Sequence, residues 1–390
     1  MRTWSDSPFA PAVDIRDLPA RRVLSEDDGE SRQVYEINGH PRWLAKIYKK
    51  SLPQAEAHTL RRLVHLPVGM FAGNLRVVDS SIAWPTATIV DGLQTVGVVM
   101  AEAPQRFSAR LRKLSGGYEQ ARPLPIDWLL TSTEASVKRG IKPTDIDIRT
   151  KAVLEFLRVG ALFDDYDLVY ADWSYKNAFW EHGVGSVYVI DMDTCGIGTR
   201  AWIESPEWDD PLFPESAKPQ LSILSDRYKL AVLAVRCMTG ERKDPLAAHR
   251  SLVDLVGANP FTSALHQVLT AKVAEERLSP YRLLAAYQRW LAVMAGNVSG
   301  DVRVGPAARA GEPGKPGSPA RDDRSADPGA KPPGNVTGHV DLRGRRGGQR
   351  PPPSARDPAA FAPPSPYGPR PLPPAGLRNG YQPIVKGEAQ

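Results

Sequence analysis

The alternation of apolar and polar residues predicts short strands in the first hundred residues. The segment 52–66 interrupts this pattern with leucines at roughly helical spacing, which predicts one helix. Asn38-Gly39 separates two β-prone runs and predicts a hairpin between them. The predicted strands of this part are residues 21–24, 34–37, 43–48, 75–78, 87–90 and 95–100.

The pattern changes after residue 104. Residues 105–145 are polar and contain Gly116-Gly117, which predicts an insertion or linker with some helix. Amphipathic helical spacing then dominates, interrupted by one strand-rich stretch at 168–190. The predicted helices are residues 149–163, 226–238, 246–256, 261–275 and 280–294. A small β-rich part followed by a larger helical part predicts an α+β fold.

Composition separates the last ninety residues from the rest. Residues 301–390 hold 19 of the 37 prolines, no tryptophan and few branched aliphatic residues. Such a segment buries too little apolar surface to offset the entropy of folding, so we expect a disordered tail over 298–390. This tail also carries 14 basic and 8 acidic residues, whereas residues 1–300 carry 36 of each. The overall net charge of +6 therefore belongs to the tail and indicates no basic groove elsewhere.

Several classes of protein are disfavoured by residue usage. Two cysteines, Cys195 and Cys237, form no disulfide framework, and seven scattered histidines show no metal-ligand spacing. The first residues contain no apolar stretch that resembles a signal sequence, and the apolar run 230–235 is too short to cross a bilayer. We therefore expect a cytoplasmic protein without a membrane partner.

The strongest chemical signal is a pair of polar motifs beside apolar runs. Residues 169–177 read V-Y-A-D-W-S-Y-K-N, and residues 189–193 read V-I-D-M-D. Asp172, Asn177 and Asp191 bring carboxylate and amide oxygens, which suit Mg²⁺ and proton acceptance. Each of them alone is also an ordinary turn residue.

These motifs resemble the catalytic loop and the metal-binding motif of the protein-kinase superfamily, which read H-R-D-x-x-x-x-N and D-F-G. The resemblance implies a two-lobed fold with a small β-rich lobe over 1–104, an insertion or linker over 105–145 and a helical lobe over 146–297. It implies ATP and Mg²⁺ as cofactors, with Asp172 as the catalytic base and Asn177 and Asp191 as metal ligands.

The same resemblance implies a nucleotide site in the first hundred residues. Lys46, in L-A-K-I-Y, corresponds to the strand lysine that bridges the phosphates, and Glu56 in the next helix would pair with it. A turn near Gly29 that leads into Val34 would cover the phosphates. The segment containing Met100, Ala101 and Ala103 would contact the adenine through its backbone.

Two further residues are implied as structural supports. Asp226 opens a segment that resembles the buried helix whose aspartate holds the catalytic-loop backbone. Taken alone, it is also an ordinary residue at a helix start. Arg277 resembles the arginine that anchors the end of the activation segment, with Glu207 or Glu215 as its expected partner.

The predicted function is that of a divergent bacterial kinase that transfers the γ-phosphate of ATP to Ser or Thr of a protein substrate. Some family positions differ here: Asp27 and Arg32 replace two glycines of the phosphate turn, and Tyr170-Ala171 replace His-Arg. A pseudokinase that binds or scaffolds a signalling partner is therefore a second hypothesis. A small-molecule phosphotransferase of the aminoglycoside-kinase type is a third.

The tail contains two short motifs of its own. Residues 344–348 read G-R-R-G-G, which is typical of segments that contact nucleic acid, and residues 370–374 read R-P-L-P-P, which suits a proline-binding domain. A solvated linker is the alternative reading of the same composition.

Overall fold

The computed structural model describes residues 2–142, 144–203, 207–242 and 244–294. Its N-terminal part contains a six-stranded sheet in the order β1-β5-β6-β4-β3-β2, in which β1 runs parallel to β5 and the other neighbours are antiparallel. The strands are β1 Ala12–Asp14, β2 Ala20–Glu26, β3 Ser31–Ile37, β4 Trp43–Tyr48, β5 Pro85–Asp91 and β6 Gln94–Ala101. The predicted strands and the Asn38-Gly39 hairpin between β3 and β4 are confirmed, apart from the strand at 75–78.

Along β4 the sheet is buried on both faces, and successive residues of this strand belong to different faces. Ala45 and Ile47 belong to one apolar cluster, whereas Tyr48 belongs to a second cluster with Val98. Successive side chains of a strand point to opposite faces. Lys46 therefore lies on the face of Tyr48, in register with Val98 on the neighbouring strand.

Two helices separate β4 from β5. Helix α1 spans Gln54–His65, as predicted, and buries Ala57, Leu60, Leu63 and Val64. Helix α2 spans Ala72–Ser81, so the predicted strand at 75–78 is wrong. A short apolar run with two valines does not distinguish strand from helix by periodicity. Here the run packs on two later elements, helix α4 (Ile146–Asp165) and strand β11 (Val187–Val189), and that packing outweighs the β preference of the valines.

Residues 105–145 pack into the helical part of the protein. They form the short pair β7 Ser108–Ala109 and β8 Arg122–Pro123, helix α3 Thr133–Lys138, and 3-10 turns at Gln105–Phe107 and Ile126–Leu130. Leu111, Leu124, Ile126, Leu129 and Ile141 are buried in the same apolar core as the later helices. The segment predicted as an insertion or linker is therefore integrated in this core.

The C-terminal half of the described chain is mainly helical, which confirms the α+β class. Its helices are α4 Ile146–Asp165, α5 Ile223–Thr239, α6 Pro245–Val256, α7 Pro260–Thr270 and α8 Pro280–Met294. Helix α5 is buried on nearly all sides, from Ser225 to Met238, which places it at the centre of this half. Helix α7 ends before residue 275, the predicted end, and a 3-10 turn follows at Ala274–Glu276.

Two small strand pairs lie between α4 and α5, as the strand-rich stretch predicts. Strand β9, Leu168–Val169, pairs with β12, Gly196–Ile197, and β10, Ala178–Trp180, pairs with β11, Val187–Val189. The amide of Ala83 donates to the carbonyl of Val189 over 2.8 Å, which connects this region to the chain entering β5. None of the helices among the described residues has both the length and the apolar character needed to cross a membrane. The predicted tail, 298–390, lies outside the described residues.

Candidate functional site

The loop that follows β9 is held in place by side chains of helix α5. The Asp226 carboxylate accepts hydrogen bonds from the amides of Tyr170, over 2.6 Å, and Ala171, over 2.8 Å. Lys229, one turn further along the helix, donates to the carbonyl of Ala171 over 2.7 Å. Ala171 adopts a left-handed backbone with φ of 61°, which is uncommon for a residue with a side chain. The loop leading to Asp172 is thereby fixed in an unusual conformation.

The electrostatics of this support follow from its burial. Burial raises the pKa of Asp226 to about 6, against the opposing effect of the hydrogen bonds from Tyr170 and Ala171. Burial also lowers the pKa of Lys229, although the nearby Asp226 carboxylate opposes this shift. With a pKa of about 6, Asp226 is mostly ionised at neutral pH. It then accepts both amide hydrogen bonds as a carboxylate.

Asp172 and Asn177 lie at the two ends of this loop and are tied together. The side-chain amide of Asn177 donates to the backbone carbonyl of Asp172 over 3.0 Å. Within the described ranges, the Asp172 carboxylate accepts no hydrogen bond from the protein, and the residue is half-buried. Its oxygens are therefore available to a ligand at the surface of the loop.

Lys46 and Asp191 meet across the sheet face described above. Lys46 Nζ lies 3.0 Å from Asp191 Oδ1 and 3.0 Å from Asp193 Oδ1. Asp193 also accepts a hydrogen bond from the hydroxyl of Tyr48 over 2.9 Å. The side chain of Asp193 is 1% exposed and that of Asp191 is 38% exposed. One carboxylate is therefore enclosed, whereas the other opens to solvent.

The charges of this cluster shift one another. Burial lowers the pKa of Lys46, but the carboxylates of Asp193 and Asp191 outweigh that effect and raise it overall, so the lysine stays cationic. Burial raises the pKa of Asp191, and the neighbouring Asp193 adds to this effect, whereas Lys46 opposes it. Burial beside Asp193 places the pKa of the Tyr48 phenol well above its ordinary value. Tyr48 is therefore a neutral hydrogen-bond donor.

The predicted pair of Lys46 and Glu56 is absent among the described residues. Glu56 lies exposed in the first turn of α1, while the helix buries Ala57 and Leu60. A negative charge is favoured at a helix N-terminus, which stabilises Glu56 in solvent. The ammonium of Lys46 is instead satisfied by Asp191 and Asp193.

The residues predicted to surround a nucleotide lie on neighbouring strands. Val34 is the direct cross-strand partner of Lys46, and Met100 is the partner of Leu44, two residues before that lysine. Val34, Lys46 and Met100 therefore share one face of the sheet. Ala101 belongs to the apolar cluster on the opposite face, and Ala103 is half-buried just beyond the end of β6.

The turn before β3 contains Gly29 in a left-handed conformation with φ of 52°. Asp27 shares that conformation, and its carbonyl accepts a hydrogen bond from Lys49 Nζ over 3.1 Å. The amide of Lys49 donates to the carbonyl of Glu30 over 2.9 Å. The turn is therefore fastened to the end of β4, close in sequence to Lys46.

Arg277 forms an enclosed ion pair with Asp210. Its Nη2 donates to Asp210 Oδ1 over 2.6 Å, Nη1 contacts the second oxygen, and each side chain is 1% exposed. The expected partner Glu207 is therefore wrong, because the carboxylate that Arg277 contacts belongs to Asp210, whereas the side chain of Glu215 lies outside the described part of the structure. Glu207 is exposed, and its backbone carbonyl accepts from Arg236.

The backbone segments that carry Asn177 and Asp191, the predicted metal ligands, are neighbours. The amide of Ile190 donates to the carbonyl of Asn177 over 3.0 Å, which places Asn177 and Asp191 at the same end of the β10–β11 pair. In the described part of the chain, no group of three or more His, Cys, Asp or Glu side chains is arranged to hold a metal ion. Mg²⁺ usually takes one or two protein ligands together with water and phosphate oxygens, so this small oxygen set fits it.

Some residues of the site were not predicted from the sequence, namely Asp193, Tyr48, Arg200 and Asp210. Arg200 donates to the carbonyl of Tyr170 and thus adds to the support of the loop. The position of Tyr48 was accessible from strand alternation, because it lies two residues after Lys46. Asp193 and Asp210 depend on contacts between distant segments, and no local signal marks them.

No family model matches this chain, and no curated protein matches it.

Proposed function

We propose that the protein is a divergent protein kinase of two-lobed fold that transfers the γ-phosphate of ATP, with Mg²⁺, to Ser or Thr of a protein substrate. The observation that carries the proposal is the meeting of Lys46 and Asp191, 145 residues apart, at 3.0 Å. This pair is accompanied by a rigidly supported loop bearing Asp172 and Asn177. Cation, carboxylate and amide are the groups that phosphoryl transfer requires.

The roles follow from the chemistry of each side chain. Asp172, whose carboxylate oxygens accept no protein hydrogen bond among the described residues, would orient the acceptor hydroxyl and take its proton. Lys46 would contact the phosphates of the nucleotide. Asn177 and Asp191 would hold Mg²⁺, which would offset the negative charge of the phosphates, while ATP would donate the phosphoryl group and leave as ADP.

The rigid backbone around Asp172 would support catalysis, because the loop is already ordered and need not be reorganised at a cost in free energy during the reaction. Asp226 and Lys229 hold Ala171 from both its amide and its carbonyl. Preorganised groups lower a barrier more effectively than groups that must be ordered in each turnover. The left-handed conformation of Ala171 is the kind of strain that concentrates at functional sites.

The experiment that tests this proposal measures phosphate incorporation by intact-mass spectrometry. The full chain is incubated with Mg·ATP, alone and with casein as a general Ser/Thr acceptor. We expect added phosphate in the parent protein, its loss in Asp172→Ala, and its retention in Asp91→Ala, where an exposed aspartate outside the site is removed. Phosphate incorporated equally by Asp172→Ala would refute the assigned mechanism.

A pseudokinase is the second candidate, and one observation favours it. Lys46 and Asp191 neutralise each other directly, so a nucleotide must compete with an existing ion pair for both groups. Asp27, in the turn that would cover the phosphates, also adds negative charge. A rise in melting temperature with Mg·ATP, without phosphate on the chain or on a panel of protein acceptors, would favour this candidate.

A further inference from the structure

Helix α1 presents a continuous basic face. His58, Arg61, Arg62 and His65 follow the spacing i, i+3, i+4 and i+7, which places all four along one side of a helix. All four are exposed. The opposite side of the helix is the buried one, with Ala57, Leu60, Leu63 and Val64.

These four side chains have no acidic partner within the part of the chain that the structure describes. The ion pairs of the neighbouring sheet and helices involve other arginines and lysines. Exposed arginines elsewhere, such as Arg16 and Arg250, contact a carboxylate directly. On this basic face of α1, Arg61 and Arg62 are therefore two adjacent positive charges without a carboxylate partner among the described residues.

The basic face borders a groove. A shallow, open groove of about 610 Å³ is lined by the four basic side chains, Leu66 at the end of the helix, and Ile197 of strand β12. The next residues of the chain expose two apolar side chains, since Val68 is 75% and Phe71 is 82% exposed. Leu66 and Ile197 give the groove itself apolar walls beside Arg61 and Arg62, and the exposed Val68 and Phe71 follow in the chain.

We propose that this groove is a docking site for an acidic segment of another polypeptide. The basic face from His58 to His65 extends about 10 Å along the helix, at ~1.5 Å per residue. Alternate residues of an extended peptide are about 6.6 Å apart and point to the same side. Carboxylates at such positions match the i, i+4 spacing of the basic residues, while the intervening side chains contact the apolar surface.

Charge favours an acidic polypeptide as the occupant of the groove over nucleic acid and over the chain's own residues 301–390. Residues 1–300 carry equal numbers of acidic and basic residues, whereas nucleic-acid-binding domains are generally basic as a whole. The chain's own residues 301–390 carry 14 basic and 8 acidic residues, so they do not complement a cationic groove. A separate acidic chain fits best. This inference does not depend on phosphoryl transfer.

Binding is tested with the full chain and fluorescence anisotropy at low salt. The probe is a short fluorescein-labelled peptide of alternating glutamate and leucine, compared with a lysine–leucine peptide and a short oligothymidylate. We expect the acidic peptide to bind, to be released by salt, and to bind at least about tenfold more weakly to the double variant Arg61→Glu/Arg62→Glu.

The matched control is Arg282→Glu/Arg289→Glu, which makes the same charge change at exposed positions of helix α8. We expect it to bind like the parent protein. The milder variant Arg61→Gln/Arg62→Gln, checked by its melting temperature, covers the case in which charge reversal disturbs folding. The proposal fails if the parent protein does not bind the acidic peptide, if it prefers the oligothymidylate, or if both double reversals weaken binding equally.

Discussion

Lys46 Nζ and Asp193 Oδ1 lie 3.0 Å apart, and the carboxylate of Asp193 is almost completely enclosed. The same carboxylate accepts the hydroxyl of Tyr48, which lies two residues after Lys46 on the same strand face. Asp193 therefore joins the turn after β11 to strand β4. The ammonium of Lys46 is thus held by Asp191 and Asp193, two positions apart in the chain, rather than by helix α1.

Replacement of Asp193 by alanine is expected to destabilise the protein by about 3 kcal/mol, because it leaves a buried lysine short of one partner and the Tyr48 hydroxyl without an acceptor. Asp191→Ala serves as the matched control. Since the side chain of Asp191 is 38% exposed, its loss should cost about 1 kcal/mol or less. Urea unfolding measures both values. A larger cost for Asp191→Ala would mean that the enclosed contact is not the main anchor of Lys46.

Replacement of Glu56 by alanine is expected to change neither stability, beyond about 0.5 kcal/mol, nor the rise in melting temperature with Mg·ATP. The reason is that Glu56 is exposed at the start of α1 and forms no ion pair with Lys46. Lys46→Ala provides the comparison and should abolish the rise. If Glu56→Ala also abolishes it, nucleotide binding would involve a rearranged α1 in which Glu56 reaches the lysine.

The elements whose signals are local were predictable from sequence. Strands β2 to β4 and helices α4 to α8 have clear periodicity, and the spacing of Asp172 and Asn177 within one loop identified the candidate site. Helix α2 was not predictable, because its short apolar run fits either element and tertiary packing decides between them.

Side-chain partners across long sequence separations were also beyond sequence reasoning. Asp193 contacts Lys46 from 147 residues away, and Asp210 contacts Arg277 from 67 residues away. Which of several nearby acidic residues makes such a contact depends on the path of the backbone. For Lys46, an expected partner on the adjacent helix proved wrong because a turn from the other half of the chain brings two carboxylates closer.

The raised pKa of Asp226 predicts a pH dependence of the free energy of unfolding, which the variant Asp226→Asn should lack. The pKa of Asp226 is about 6 in the folded protein against 3.8 for an unperturbed aspartate. The folded state therefore binds the proton more tightly, and the contribution of Asp226 to stability falls as pH rises, levelling off above the folded pKa. Between pH 4.5 and 7.5 the parent protein should lose about 2 kcal/mol relative to the variant.

This difference is measured by urea unfolding of both proteins across that pH range. Asp226→Asn also loses a hydrogen bond to the loop, but that loss shifts its stability by a nearly constant amount. The titration of Asp226 is reported only by how the difference in unfolding free energy between the two proteins changes with pH. A difference that stays constant, or that grows in favour of the parent protein as pH rises, would contradict the raised pKa.

Because the ion pair of Arg277 and Asp210 is enclosed, its loss should lower the free energy of unfolding more than the loss of an exposed ion pair does. Replacement of Arg277 by alanine should cost about 3–5 kcal/mol, because it leaves the carboxylate of Asp210 buried without its cation. Arg242→Ala is the comparison, since its partner Asp127 is half-exposed, and should cost less than about 1 kcal/mol. Combining Arg277→Ala with Asp210→Ala should recover part of the loss, because the double variant leaves no buried charge. A double variant as unstable as the sum of the single variants would show that the two residues act independently.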